Sequence, residues 1–298
     1  MISIVIPAKN EAAGLATLLP SLCSLAGIDE VIVVDDGSTD STARVVTSSG
    51  AILISHPYSK GNGAAIKTGA KAARGDIVVF MDADGQHNPA DIPRLIDQIN
   101  GGHDMVVGAR QSGSQANAGR GLANWLYNKL ASYMTGHQIE DLTSGLRAVH
   151  AEKFREFLYL LPNGFSYPTT ITMAFFRAGH SVVYIPIHTA KRLGKSHLQP
   201  LKDGIRFLMI IFKIGTLYSP LKLFAPVALV HFLLGLGYYG YTYFTQTRLS
   251  SMTIFMFTTA VIIFLIGLVS EQITQLMYRP LSNASSRQTQ ETCPSDEP

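Results

Sequence analysis

The stretch that decides the reading of this chain is "VVFMDADGQHNPADI", Val78 to Ile92. An apolar run ends abruptly in two carboxylates, Asp82 and Asp84, before a helix-like segment opens around Asn88 to Asp91. The same design recurs through the first part of the chain. Short apolar runs, "ISIVI" (2–6), "VIVV" (31–34), "AILIS" (51–55), "DIVVFM" (76–81) and "DMVVG" (104–108), alternate with helix-like stretches at 11–25, 39–49, 62–73 and 90–100. That alternation predicts βαβ units and a mainly parallel sheet. The runs are apolar without polar alternation, as strands are when helices cover both faces of the sheet. In such sheets ligands bind beyond the carboxyl ends of the strands. Three of those ends carry acids or amides: "PAKNE" (7–11), "DDGSTDST" (35–42) and "DADGQH" (82–87).

Each motif has a functional and a purely architectural reading. Along an extended chain Asp82 and Asp84 point the same way. A pair of adjacent carboxylates favours a bound cation, and oxygen donors suit Mg²⁺ or Mn²⁺, with Gln86 as a further ligand. The alternative is an acidic turn before a helix capped by Asn88 or Asp91. Asp35 and Asp36, with Asn10 and Glu11, read as a nucleoside pocket or as a capped turn. "SKGNGAAIKTGAKAARG" (59–75) offers Gly61, Gly63, Lys60 and Lys67 at a helix start, either an anion site or an ordinary loop-to-helix junction. Neither a Walker A loop nor a GxGxxG fingerprint is present. "VVGARQSGSQANAGRGLANW" (106–125) reads as a Gly-rich loop that carries Arg110 and Arg120 over the site or simply lies in solvent. "EDLTSGLRAV" holds Asp141, Ser144 and Arg147, and "KRLGKSHL" holds Arg192 and Lys195; both basic clusters can equally be surface charge.

Composition narrows the class. The 298 residues are 47% hydrophobic and only 15% charged, against roughly 25% in soluble domains, which points to membrane. A net charge of +3 is too small for a nucleic-acid binder. Two cysteines far apart, Cys23 and Cys293, read as free thiols in a reducing compartment. No signal peptide is visible at Met1.

The order "VIPAKNE", "VIVVDDGSTDST", "GNGAAIKTGAKAARGD", "FMDADGQHNP", "DLTSGLRAV" and "KRLGKS" resembles glycosyltransferase family 2 over about residues 1–198. Within it the chain is most similar to dolichyl- or polyprenyl-phosphate hexosyltransferases of the dolichol-phosphate mannose synthase type. The resemblance implies a GT-A (Rossmann-like) catalytic domain, a nucleoside diphosphate sugar donor such as GDP-mannose or UDP-glucose, and a polyprenyl phosphate acceptor. It implies Mg²⁺ or Mn²⁺ held by Asp82, Asp84 and Gln86. Pro7, Asn10, Glu11 and Asp36 would line the nucleoside site, and Lys67, Arg110, Arg120 and Lys195 would meet phosphate. Asp84, Asp141 and Arg192 are the expected catalytic residues, with Asp141 orienting the acceptor or serving as base. The Gln-x-x-Arg-Trp motif of processive relatives is absent around Trp125, which argues against a polymer synthase.

The remainder explains where the acceptor would be met. Leu223 to Phe244 and Met252 to Ser270 are uncharged runs of 22 and 19 residues, each near the roughly 20 needed to cross a bilayer. Lys213, Lys222, Arg279 and Arg287 flank their outer ends, and the positive-inside rule puts both termini and the catalytic domain in the cytoplasm. His231 is assigned no role, and Glu271 is expected at the interface. In "QPLKDGIRFLMIIFKIG" (199–215), Lys202, Arg206 and Lys213 fall within about 40° on a helical wheel, predicting an amphipathic helix over 199–216 on the membrane surface. The alternative is a core helix. The two spans occupy 217–279, and a disordered cytoplasmic tail follows at 280–298. The expected activity is inverting, metal-dependent hexose transfer at a cell membrane by a multi-pass protein, with self-association through the spans. A membrane-anchored nucleotidyltransferase and a non-catalytic membrane scaffold are the competing readings.

Overall fold

In the computed structural model, residues 1–110, 118–164, 167–189, 212, 215–246 and 249–277 are described, without the side chains of 118–124. The chain divides into two units, Met1–Tyr218 and Ser219–Pro298.

The first unit is built on a seven-stranded sheet in the order β3-β2-β1-β4-β6-β5-β7. The five expected strands form: β1 (Ile2–Ala8), β2 (Glu30–Asp35), β3 (Ile52–Ser55), β4 (Ile77–Phe80) and β5 (Met105–Arg110). Helices α1 (Ala12–Cys23), α2 (Thr42–Ser48), α3 (Asn62–Ala72) and α4 (Ile92–Asn100) fill the expected gaps, with α4 led by a 3₁₀ turn over Pro89–Asp91. β1, β2, β3 and β4 are all parallel to their neighbours among themselves. Two strands are additions to the sequence reading. β6 (Arg147–His150) inserts antiparallel between β4 and β5, and β7 (Val182–Ile187) pairs parallel with β5. β6 has only four residues and begins with an arginine; β7 contains Pro186, which a central strand excludes and an edge strand tolerates.

Coverage of both faces holds for the inner strands, where Ile4, Ile6, Val33 and Val79 are fully buried. It fails at the edge strand β3, where Ile52 is 39% exposed. Three further helices complete the unit: α5 (Ala118–Thr135), α6 (Ala151–Glu156) and α7 (Tyr167–Arg177). α5 corrects the reading of 106–125 as one Gly-rich loop, since helix begins at Ala118 despite the low propensity of its glycines and asparagines. Its C-terminal turns bury Tyr127, Ala131 and Met134, so tertiary packing outweighs local preference.

In the second unit, α8 (Pro220–Gln246) and α9 (Ser251–Met277) are both long and apolar enough to cross a bilayer. Each overruns the span read from hydropathy. Most of their large apolar side chains are exposed, from Leu229 and Leu233 to Phe255 and Ile262. The two helices meet through small residues: Ala228, Thr253, Ala260 and Gly267 are buried. Glu271 accepts from the Ser219 hydroxyl and the Leu221 N–H, both at 3.3 Å, which satisfies an unpaired donor at the start of α8. His231 Nδ1 lies 2.9 Å from the Val227 carbonyl one turn back. The amphipathic segment expected at 199–216 falls mostly, and the tail at 280–298 entirely, outside the described residues.

A Cβ on Gly267 would sit 2.7 Å from the Cβ of Phe224, an atom close to the backbone that cannot swing away. Gly267→Val is therefore expected to loosen the α8–α9 pair by roughly 1–3 kcal/mol. The check is a lower midpoint in a detergent denaturation titration.

Candidate active site

Strand order reverses where β1 lies between β2 and β4, and in open α/β sheets ligands bind beyond the carboxyl ends of the strands at such a point. A cavity of about 540 Å³ opens there. Its lining brings together Pro7, Lys9 and Glu11 after β1, Asp36 after β2, Ser59 and Gly61 before α3, and Asp82 and Asp84 after β4. Of the expected site residues the structure thus gathers Pro7, Glu11, Asp36, Asp82 and Asp84 at one cavity.

The two acids after β4 reach it by a route other than strand alternation. β4 stops at Phe80, so Asp82 to Asp84 form a turn, with the Asp84 carboxylate accepting from the Gln86 N–H at 3.1 Å. Helix capping does not use them. Asn88 Oδ1 accepts from the Ala90 N–H at 3.1 Å, while Asp91 pairs with Arg94 at 2.7 Å. Asp82 is gripped from the β6 side: a Cβ on Gly145 would fall 2.0 Å from its Oδ2. His87 is buried with Nε2 3.8 Å from Asp82 Oδ2. Among the described residues no three His, Cys, Asp or Glu side chains form a metal-holding group. A pair of carboxylates opening on a cavity nevertheless fits Mg²⁺ or Mn²⁺, which complete their shells with phosphate oxygens and water. Gln86 is absent from the cavity lining.

Asp36 organises the opposite wall. Its Oδ1 takes His56 Nδ1 at 2.7 Å and the Lys60 N–H at 2.8 Å; its Oδ2 takes the Ser59 hydroxyl and the Gly61 N–H, both at 2.8 Å. Burial alone raises this carboxyl, but the donors from His56, Lys60, Gly61 and Ser59 override it and hold its pKa at about 2. Asp36 borders the cavity with its lone pairs already engaged. Asn10 is a clasp: at φ 55° it donates its N–H to Ser38 Oγ at 2.9 Å and accepts from the Thr39 N–H at 2.8 Å. Those bonds lock the loop after β1 to the loop after β2.

The start of α3 departs from the anion-site reading. The N–H groups of Gly63 and Ala64 donate to the carbonyls of Gly164 and Asn163, and Lys67 Nζ bonds the Leu161 carbonyl and Asn163 Oδ1. A Cβ on Gly63 would lie 2.0 Å from the Pro162 carbonyl. These glycines admit another part of the same chain, and Lys67 fastens it; the helix start is closed by protein.

On the far side, Arg110 ends β5 and forms a bidentate pair with Asp141, Nε–Oδ2 at 2.7 Å and Nη2–Oδ1 at 2.9 Å. Burial works to raise Asp141, and the Arg110 hydrogen bonds and charge outweigh it, so the carboxyl is lowered and serves poorly as a base. Arg147, read as possible surface charge, is fully buried instead. Its Nη1 donates to the Pro168 carbonyl at 3.0 Å and its Nη2 to the Ser144 carbonyl at 2.6 Å, with the guanidinium 5.6 Å from the Tyr167 ring centre. It holds the chain beside Gly145, and so the backing of Asp82. The sequence gives no signal for that, because no acid stands near Arg147 to mark it as an interior cation. The Arg120 side chain, Arg192 and Lys195 lie outside the described residues.

The glycosyl transferase family 2 profile matches residues 3–158, and the GtrB C-terminal hairpin profile matches 219–276. Among curated proteins, the undecaprenyl-phosphate 4-deoxy-4-formamido-L-arabinose transferase of Pseudomonas fluorescens is 31% identical over 249 residues, covering 76% of this chain and 67% of that one. Its counterpart in Enterobacter sp. is 31% identical over 212 residues, and the chain spans 60% of its length. Glycosyltransferase AglJ of Haloferax volcanii is 26% identical, with 79% of each chain covered. Among solved structures, glucosyl-3-phosphoglycerate synthase of Mycobacterium tuberculosis, in complex with Mn²⁺, UDP and phosphoglyceric acid, superposes with a TM-score of 0.59. It is 26% identical over 72% of this chain and 77% of that one.

The Asp36 cluster yields a pH dependence. Its folded pKa lies below the ordinary 3.8, so its contribution is present above pH 4 and is lost as pH falls toward 2. The drop amounts to about 2 kcal/mol. Thermal unfolding of the detergent-solubilised protein from pH 7 to pH 2.5 should reveal it. Asp36→Asn should be less stable at pH 7 by roughly 2–3 kcal/mol and should lack that part of the acid sensitivity.

Proposed function

Because the chain belongs to glycosyl transferase family 2, we propose that it transfers a hexose from a nucleoside diphosphate sugar, GDP-mannose or UDP-glucose, to a polyprenyl phosphate. The transfer takes place at the cytoplasmic face of the membrane, with inversion at the anomeric carbon. The observation that carries this reading is the pairing of Asp82 with Asp84 at the cavity where β1 and β4 end, in a chain that also bears a membrane hairpin. The naming of its relatives for undecaprenyl phosphate supports the acceptor, and the Mn²⁺ and UDP of the structural relative support the donor class.

Asp82 and Asp84, with Gln86 beside them, would hold the divalent cation. Such an ion supplies positive charge against the departing nucleoside diphosphate. The chain's own residues do the rest. Pro7 and Glu11 frame the nucleoside against a wall that Asp36 keeps rigid. Arg110, aimed by Asp141, offers guanidinium charge to phosphate, and Arg120, Arg192 and Lys195 are candidates for the same task. A phosphate monoester has a second pKa of about 6, so the acceptor is already ionised at neutral pH. Asp141 is therefore assigned to orienting Arg110 rather than to taking a proton.

Two experiments test this. Purified protein is offered a panel of radiolabelled nucleotide sugars with undecaprenyl or dolichyl phosphate, and label in the organic phase identifies donor and acceptor. With Mg²⁺ or Mn²⁺ present, Asp84→Ala should lower the rate roughly 100-fold or more; full activity in that variant, or no transfer from any donor, sinks the reading. Gly145→Ala presses on the Asp82 carboxylate from 2.0 Å. It should raise the metal concentration needed for half-maximal activity by about 10–100-fold while leaving the unfolding temperature nearly unchanged.

A further inference from the structure

One face of α5 has no partner among the described residues, and its composition is wrong for water. Trp125, Leu126 and Tyr133 are 57%, 54% and 59% exposed, and Lys129 stands exposed among them. At 100° per residue these four fall within an arc of about 100°. Single exposed apolar residues are ordinary; three large ones on one arc around a lysine are not. The opposite face is fully committed: Tyr127, Ala131 and Met134 pack with Ile139, Leu142 and Met173.

The cluster beneath α5 also includes Tyr218, which is 8% exposed and has the Arg177 guanidinium 5.6 Å from its ring centre. Tyr218 precedes by only two residues Pro220, where the first membrane-length helix begins. The chain thus anchors α5, through one side-chain layer, to the residue from which it departs for the bilayer. Tryptophan and tyrosine settle at the headgroup boundary because each has an apolar body and one polar tip, and lysine there keeps its ammonium at lipid phosphate.

We propose that the Trp125–Leu126–Lys129–Tyr133 face of α5 is a membrane-docking surface, seated at the headgroup–acyl boundary of an anionic bilayer. The rings and Leu126 enter the boundary and Lys129 meets headgroup phosphate. The face would hold the catalytic unit against the membrane independently of the hairpin's own insertion. It rests on the exposed face and the adjacent spans, and requires neither the donor nor the acceptor proposed above.

Trp125 is the only tryptophan of the chain, so intrinsic fluorescence reports on this face without mutation. The full-length protein is reconstituted into vesicles of phosphatidylethanolamine and phosphatidylglycerol, with and without lipids brominated near the headgroup end of the acyl chain. The expected result is at least twofold quenching by the brominated lipid together with weak quenching by aqueous iodide. Lys129→Glu should reverse that balance while the hairpin stays inserted. Iodide-accessible emission that bromine leaves unchanged overturns the proposal, since the face is then in water. Emission insensitive to both quenchers, and dependent on protein-to-lipid ratio, overturns it too by assigning the face to a second copy of the chain. No nucleotide sugar or metal enters the measurement, so its failure is distinct from failure of the transfer activity.

Discussion

The Asp36 carboxylate accepts four hydrogen bonds, and the geometry of the cavity wall follows from that. A buried carboxylate is tolerable only if its lone pairs are filled, and here the donors come from His56, Ser59, Lys60 and Gly61, all from the segment between β3 and α3. The end of β2 is thereby joined to the start of α3. Lys9 reaches the same knot through the Ser59 hydroxyl at 3.0 Å, so the end of β1 is tied in as well. Asn10, held at a positive φ, completes the lacing. One ionised group thus sets three loops at the same rim.

The opposite wall uses the same economy with different chemistry. Arg147 is an interior cation without a carboxylate, satisfied by carbonyl oxygens, and burial lowers its pKa. What it secures is the strand entry that brings Gly145 against Asp82. Arg110 and Asp141 form a second buried pair nearby, each ordering the other. Breaking one member of either arrangement leaves a buried polar group unmatched, which costs more than the intact arrangement contributes. The acid pair is therefore backed by rigid protein, as a site needs if charge is to be presented without reorganisation.

The second unit answers to a different solvent. α8 and α9 expose the large apolar side chains that the first unit buries, and they approach one another through glycine, alanine and threonine. In lipid the hydrophobic effect gives helices no reason to associate, so close packing and a few hydrogen bonds, such as those to Glu271, take over.

Periodicity and strand-end chemistry were legible in the sequence because they are local. The apolar runs gave β1 to β5, the intervening segments gave α1 to α4, and the acids at 36, 82 and 84 marked the rim. Tertiary structure alone decided the rest. Whether Lys67 faces a phosphate or the 161–163 segment depends on a chain segment about a hundred residues away, and it faces the segment. β6 and β7 are too short or too proline-marked to announce themselves, and exist because neighbouring strands complete their hydrogen bonds. Arg147 looks like any surface cation until folding closes over it. Residue type and spacing fix what a local segment can do; which of those uses is realised depends on partners that only the folded chain brings within hydrogen-bonding distance.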